Sequence, residues 1–305
     1  MTAAAHVTAE IASQPACWTR AAELAAVVGH GLPQPGERVA VVGCGTSFYM
    51  ARAYAVLRER AGQGETDAYA ASEAALARPY DRIVAITRSG TTTEVLALLD
   101  EVHGRIPTVA LTGVPDGPVA DCADALVDLS FADEKSVVQT RFATTALQLL
   151  RAGLGFDLTA SVTDGELAVE EPLPRLWSHR TQFTFLGRGW TVGLADEAAL
   201  KLREAARAWT ESYAAMEYRH GPISISDENS LVWSFGEPPA GLEDEVTATG
   251  ALFTADALDP VASLVRAQRL AVELAARRRM NPDRPRNLSR SVILSGLSGV
   301  SGAAA

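Results

Sequence analysis

The sequence predicts an α/β protein whose parallel strands are covered by helices on both faces. Short apolar runs ending in glycine recur, each is followed by a segment of helical period, and the alternation restarts after an acidic stretch with two prolines. Residues 1–34 read as a helical segment. "ERVAVVGCG" (37–45) is a buried strand running into a glycine loop, and "SFYMARAYAVLRERAG" (47–62) is a helix that stops at Gly62. "TDAYAASEAAL" is ambiguous. "RIVAITRSG" (82–90) is a second strand with a polar glycine loop, and "TTTEVLALLDEVHGR" (91–105) is a helix. "PTVALTG" (107–113) and "DALVDLS" (124–130) are strands, and "QTRFATTALQLLRAGL" (139–154) is a helix. These make a first unit over 35–155.

Residues 156–178 read as a linker with room for a short helix. A second unit covers 179–294. Its strands are "QFTFLGRGW" (182–190), "SLVWSFG" (230–236) and "EVTATGALFT" (245–254). Its helices are "VGLADEAALKLREAARAW" (192–209) and the amphipathic "PVASLVRAQRLAVELAARRR" (260–279). Two units of similar size suggest an internal duplication, although no close repeat is visible. Residues 295–305 are low in complexity and are expected to be a disordered tail.

The chain has 305 residues, 48% apolar and 21% charged, which suits one large soluble domain or two ordinary ones. A net charge of −10 argues against a nucleic-acid partner, while leaving room for a locally positive site for a small anion. Three cysteines without a CxxC pair, and no secretory leader pattern, lead to the expectation of a cytoplasmic protein. No stretch approaches the roughly 20 apolar residues that span a bilayer. The five histidines show no ligand spacing, so neither a metal nor a cofactor is expected.

Two loops carry the first functional signal. "GCGTS" (43–47) and "TRSGTT" (87–92) offer small residues, hydroxyls and a following helix, which is what a phosphate needs in order to approach backbone N–H groups. Neither is a GxxxxGK[ST] loop or a GxGxxG loop, and each alone is equally a turn with a helix cap. Both lie at carboxyl ends of strands, where open α/β sheets bind ligands. Arg88 either turns in as a donor for phosphate or sugar oxygens or turns out into solvent.

The second signal is on the helix "ADEAALKLREAARAW". Glu197, Lys201 and Glu204 share one face. By helix statistics this is a surface ladder of ion pairs. Against that, Leu200 and the alanines leave little to define a separate buried stripe. The helix also follows the Gly187–Gly189 loop, so its first turns are expected to line the crevice. His220, in "YRHGP", is either a surface polar residue or an acid–base group near neutral pH.

These stretches together resemble the SIS (sugar isomerase) family, in particular the isomerase portion of the glutamine–fructose-6-phosphate aminotransferases. The matching segments are "EIASQP" (10–15), "GCGTS", "TRSGTT", "FLGRG" with "EAALKLRE", "ESYAAMEYRHGP" and "PDRPRNLSRSV" (282–292). The resemblance implies two SIS subdomains, each a five-stranded parallel sheet flanked by helices, a flavodoxin-like αβα sandwich. It implies a homodimer with shared sites. It places the sugar 6-phosphate on Ser47, Thr87, Ser89 and Thr92, with Gly45, Thr46, Arg88 and Gly90 in the same loops and Gln139 and Arg290 as further substrate-binding positions. Glu204 becomes the base that moves a proton between C1 and C2, and Lys201 lies near the sugar hydroxyls. His220 assists ring opening from the neighbouring subunit, and Glu197 is a further carboxylate on the same helix.

Those roles agree with the chemistry. One carboxylate can shuttle the proton through an enediol(amine), a cation beside the developing oxyanion lowers the barrier, and the phosphate supplies positioning energy. Three departures matter. The glutaminase half of the resembled proteins is not matched, so the chain alone is not expected to run the full synthase reaction. Thr87-Arg88-Ser89-Gly90 stands where Ser-Gln-Ser-Gly is usual, and Gln139 where serine is common. Arg290 stands where a tail lysine is usual, and arginine cannot form a Schiff base. The expected function is a phosphosugar isomerase or deaminase, closest to glucosamine-6-phosphate deaminase. The alternatives are a ketose/aldose isomerase of the tagatose-6-phosphate type, a non-catalytic phosphosugar sensor, and the isomerase subunit of a split synthase.

Overall fold

A computed structural model describes residues 4–294, so the tail expected over 295–305 lies outside the described residues. Two helices open the chain, α1 (Ala5–Ala12) and α2 (Gln14–Val28). The first unit then runs β1 (Val39–Gly43), α3 (Thr46–Arg60), β2 (Thr66–Ala70), β3 (Arg82–Thr87), α4 (Thr93–Val102), β4 (Thr108–Thr112), α5 (Val119–Cys122), β5 (Ala125–Asp128) and α6 (Arg141–Gly153). The second runs α7 (Thr159–Glu170), β6 (Gln182–Gly187), α8 (Thr191–Ala206), β7 (Thr210–Ala214), β8 (Ser230–Phe235), α9 (Leu242–Ala248), β9 (Leu252–Ala255) and α10 (Pro260–Arg277).

All strand pairs are parallel. The first sheet has the order β2-β1-β3-β4-β5 and the second β7-β6-β8-β9. The first order is the flavodoxin-like one, and the second repeats it without its last strand. Among the described residues the second sheet therefore has four strands, one fewer than the resemblance implied. The expected strand over 245–254 is in fact the end of α9 followed by β9. Glu243, Asp244 and Glu245 stabilise the start of that helix through its dipole, and Gly250, at φ +88°, turns the chain back into the sheet.

The two sheets share one central core. Val39, Val41, Val84 and Ile86 of the first sheet meet the same apolar cluster as Phe183, Phe185 and Trp233 of the second, through residues of α2, α3, α6, α8 and α10. Smaller clusters cover the outer faces, with α4 on the first sheet and α9 on the second. The residues of 156–178 that form α7 pack against α2 and α10.

The functional geometry follows from how α3 crosses α8. Thr46 meets Lys201, Arg52 pairs with Asp196, and Arg60 lies against Gly189, so the helices run antiparallel. Close approach requires Gly193, where a Cβ would sit 2.5 Å from the Tyr49 carbonyl oxygen. The last turns of α8 are thereby placed beside the first turn of α3.

Candidate active site

The N-termini of α3 and α4 lie at the carboxyl ends of β1 and β3 and bound one small cavity. It measures about 80 Å³ and is lined by Ser47, Thr87, Arg88, Ser89, Thr92, Gln139 and Arg290, with Cys44, Ile86 and Val95 closing the wall. Ser47, Thr87, Ser89 and Gln139 are buried, and Thr92 precedes α4 without spending its hydroxyl on a cap. Gly45 (φ +55°) and Gly90 (φ +63°) make the two turns. A Cβ on Gly90 would lie 2.8 Å from Val119 Cγ1. The hydroxyls and two helix dipoles converge on a place suited to an oxyanion. A cavity of about 400 Å³ between α1, α7 and α10 is larger, but Ile11, Val169, Leu173 and Val272 make it mostly aliphatic.

Arg88 is not turned out into solvent. Its guanidinium is buried and turned along the loop, donating to the carbonyls of Ser136 (3.1 Å), Val137 (3.3 Å) and Arg290 (2.9 Å). It also faces Glu134 at 3.6 Å. The Arg290 side chain returns the strap, donating to the Glu134 carbonyl and the Asp133 carboxylate. Thr93 N donates to the Val292 carbonyl at 3.1 Å, and the Thr91 and Ser291 hydroxyls bond at 2.9 Å. The second phosphate-type loop, segment 133–139 and the C-terminal segment are thus tied together.

Two buried carboxylates in this bracing were not foreseen. Glu134 accepts from Thr140 N, Thr140 Oγ1 and Arg141 N. Burial pushes its carboxyl up, against the pull of Arg88. Glu10, in the quoted "EIASQP", accepts from the amides of Lys135 and Ser136. Nothing in the local sequence marks either as buried, because the groups that surround them come from other segments: Lys135 and Ser136 for Glu10, and Arg88, Thr140 and Arg141 for Glu134. Cys44, read as a packing residue, stands in the cavity wall, and burial raises its thiol to about 11. It is therefore a neutral thiol rather than a nucleophile.

On α8, Lys201 and Glu197 are buried and Glu204 is half-buried. Lys201 Nζ donates to Thr46 Oγ1 at 3.0 Å and to Glu204 at 2.5 Å, and faces Glu197 at 3.4 Å. Burial pulls the Lys201 ammonium down, but Glu197 and Glu204 outweigh it and the net shift is upward. Burial raises Glu197 to about 8, opposed by Lys201 and assisted by Glu204. Glu197 is thus the acidic group on this face that burial most favours in its protonated form, and Glu204 is the one that reaches the surface. Thr46 does not line the small cavity; its hydroxyl links that cavity's loop to Lys201 and Glu204.

One expectation is corrected here. The last turns of α8, not the first, face the phosphate-type loops, because α3 and α8 are antiparallel. The Gly187–Gly189 loop instead lies against Arg60 at the far end of α3. His220 is exposed on the short helix Glu217–His220, beyond the carboxyl end of β7, whereas Glu204 precedes the amino end of that strand. The intervening strand β7 spans about 13 Å at about 3.3 Å per residue. Glu204 and His220 thus lie at opposite ends of β7.

A small hydroxyl-lined pocket thus lies two hydrogen bonds from a lysine-backed carboxylate at the edge of a flavodoxin-like sheet, and residues 34–152, which supply the pocket's loops, match the SIS domain family model. No particular activity comes with that family, and the relatives differ. Over 308 residues the chain is 26% identical to the glutamine–fructose-6-phosphate aminotransferase (isomerizing) of Pyrobaculum aerophilum, covering 84% of this chain and 51% of the relative. It is 29% identical to the Sulfolobus acidocaldarius protein of the same name, covering 84% and 50%. The chain therefore spans about half the length of the curated relatives it matches. Two solved structures share the fold. Glucosamine-6-phosphate deaminase of Thermotoga maritima superposes with TM-score 0.76 at 24% identity, covering 94% of this chain and 99% of that one. Tagatose-6-phosphate ketose/aldose isomerase of Escherichia coli gives 0.74 at 18% identity, covering 93% and 98%. Among the described residues no helix is long and apolar enough to cross a membrane, and no group of His, Cys, Asp and Glu could hold a metal.

Proposed function

We propose that the chain binds a hexose or hexosamine 6-phosphate and moves a proton between its C1 and C2, with release of the amine from an amino sugar phosphate as the leading form of the reaction. The observation that carries this reading is the continuity of the site. Ser47, Thr87, Ser89 and Thr92 hold the phosphate, and Thr46 bridges their loop to Lys201 and Glu204. Phosphate binding then positions the reacting carbons against Glu204. Glu204 removes the proton from one carbon and returns it to the next, and the Lys201 ammonium stabilises the oxyanion of the enediol(amine). Ring opening is assigned to His220 of a second copy of the chain, since His220 and Glu204 lie at opposite ends of β7 within one copy.

Purified protein incubated with glucosamine 6-phosphate is expected to release ammonia, and Glu204→Gln to release none. Equal ammonia from both would reject the assignment. Mixing Glu204→Gln and His220→Ala proteins, each inactive alone, should restore about a quarter of wild-type activity if sites are shared in a two-fold dimer. No restoration would place His220 outside the site.

A further inference from the structure

Glu204 also lines a cavity of about 260 Å³ that shares no wall residue with the small hydroxyl-lined one. Glu204, Asn281, Arg207, Arg284 and Arg286 line it. The chain as a whole carries a net charge of −10, so three guanidiniums around one hollow run against its composition. Among the described residues none of the three forms an ion pair. Arg207 ends α8 in the left-handed region (φ 50°), where the helix dipole favours a cation. No such reason applies to Arg284 and Arg286, which flank Pro285 in a segment without regular structure.

That segment is held in place. Asp283, which is buried, accepts from the amides of His6 (3.0 Å) and Val7 (2.8 Å) at the start of α1, and Asn281 Oδ1 accepts from Ala4 N at 3.2 Å. The Asp283 carbonyl accepts from Val137 N at 3.1 Å. Arg284 and Arg286 thus follow directly on a stretch of backbone anchored to α1 and to Val137. A guanidinium matches a carboxylate with two parallel N–H donors.

From this geometry, and resting on the phosphosugar reading above, we infer that the cavity is a subsite for a carboxylate carried by the substrate beyond its reacting carbons. The substrate class is a sugar 6-phosphate whose C1 or C2 substituent, such as a substituted amine, bears an acidic group. The phosphate occupies the cavity at Ser47, the carbon chain passes Lys201 and Glu204, and the carboxylate meets Arg284 and Arg286. A site that released only ammonium would gain nothing from three cations at its exit, whereas an amine carrying a carboxylate would be oriented by them.

The test compares N-(carboxymethyl)glucosamine 6-phosphate with its neutral isostere N-(carbamoylmethyl)glucosamine 6-phosphate by isothermal titration, with glucosamine 6-phosphate as reference. The acid is expected to bind about tenfold more tightly than the amide, the size of one charge-assisted contact at a partly exposed site. The gap should shrink as ionic strength rises and close to within about twofold in Arg284→Gln/Arg286→Gln. Equal affinity of acid and amide for the wild-type protein would overturn the inference, as would a gap that survives in the double variant. Binding of glucosamine 6-phosphate with rejection of both conjugates would overturn it while leaving the phosphosugar reading intact. Failure of all three ligands would reject that reading and the subsite with it.

Discussion

Arg88→Gln separates a strap from a phosphate ligand. The native guanidinium donates to three carbonyls, those of Ser136, Val137 and Arg290, and faces the buried Glu134 carboxylate at 3.6 Å. Removing one partner of a buried ion pair costs about 3–5 kcal/mol. Glutamine keeps a donor for one carbonyl, worth about 1 kcal/mol, and Glu134, already pushed up by burial, takes a proton once the cation is gone. The expected loss is therefore at the low end, about 3 kcal/mol, or roughly 6–10 °C in Tm for a chain of this size. Thermal unfolding followed by circular dichroism measures it, and titration with inorganic phosphate measures the site. Phosphate affinity should fall less than about fivefold, because the terminal nitrogens are spent on backbone carbonyls. A Tm within about 2 °C of wild type together with a more than tenfold loss of phosphate affinity would refute the strap and make Arg88 a ligand.

Ser47→Ala should raise the KM for the sugar phosphate, or the inhibition constant of phosphate, about tenfold, with little change in Tm, since it removes one hydrogen bond to a charged group. Glu197 links stability to pH. Its folded-state pKa is raised from 4.5 to about 8, so between those values the folded protein holds a proton that the unfolded chain has released. Stability is then full below about 4.5 and falls as pH rises toward about 8, by on the order of 5 kcal/mol at roughly 1.4 kcal/mol per pH unit. Glu197→Gln, an isostere of the neutral acid, should flatten that decline in urea unfolding at pH 5 and pH 8, and an unchanged slope would rule Glu197 out as its source. Gly193→Ala should cost about 1–3 kcal/mol, because its Cβ meets the Tyr49 carbonyl of a packed helix; a neutral result would show that α3 and α8 can separate freely.

How legible each part was depended on whether the signal was local. Strand β1 and helix α3 are visible because an apolar run, Gly45 and a helical period lie within twenty residues. The loops at Ser47 and Thr87–Thr92 are visible because small hydroxyl residues follow strands, and helical spacing alone puts Glu197, Lys201 and Glu204 on one face. Strand β7 (Thr210–Ala214) escaped the reading because an edge strand with a half-exposed face carries no apolar run. Glu10 and Glu134 escaped it because a buried carboxylate reads like any surface one until another element covers it.

By itself the sequence determined the alternation of strands and helices, the glycine loops at strand ends, and the set of chemically able side chains. Tertiary structure decided how those side chains are combined. Antiparallel packing of α3 on α8 set Lys201 and Glu204 beside Thr46 and carried the Gly187–Gly189 loop to the opposite end. Strand β7 set Glu204 and His220 at its opposite ends, and the docking of residues 281–294 turned Arg88 into a strap and brought Arg284 and Arg286 to a cavity shared with Glu204. The reason is physical: periodicity and turn chemistry act over a few residues, whereas the direction of a helix, the burial of a charge and the partner it meets depend on contacts between residues hundreds of positions apart.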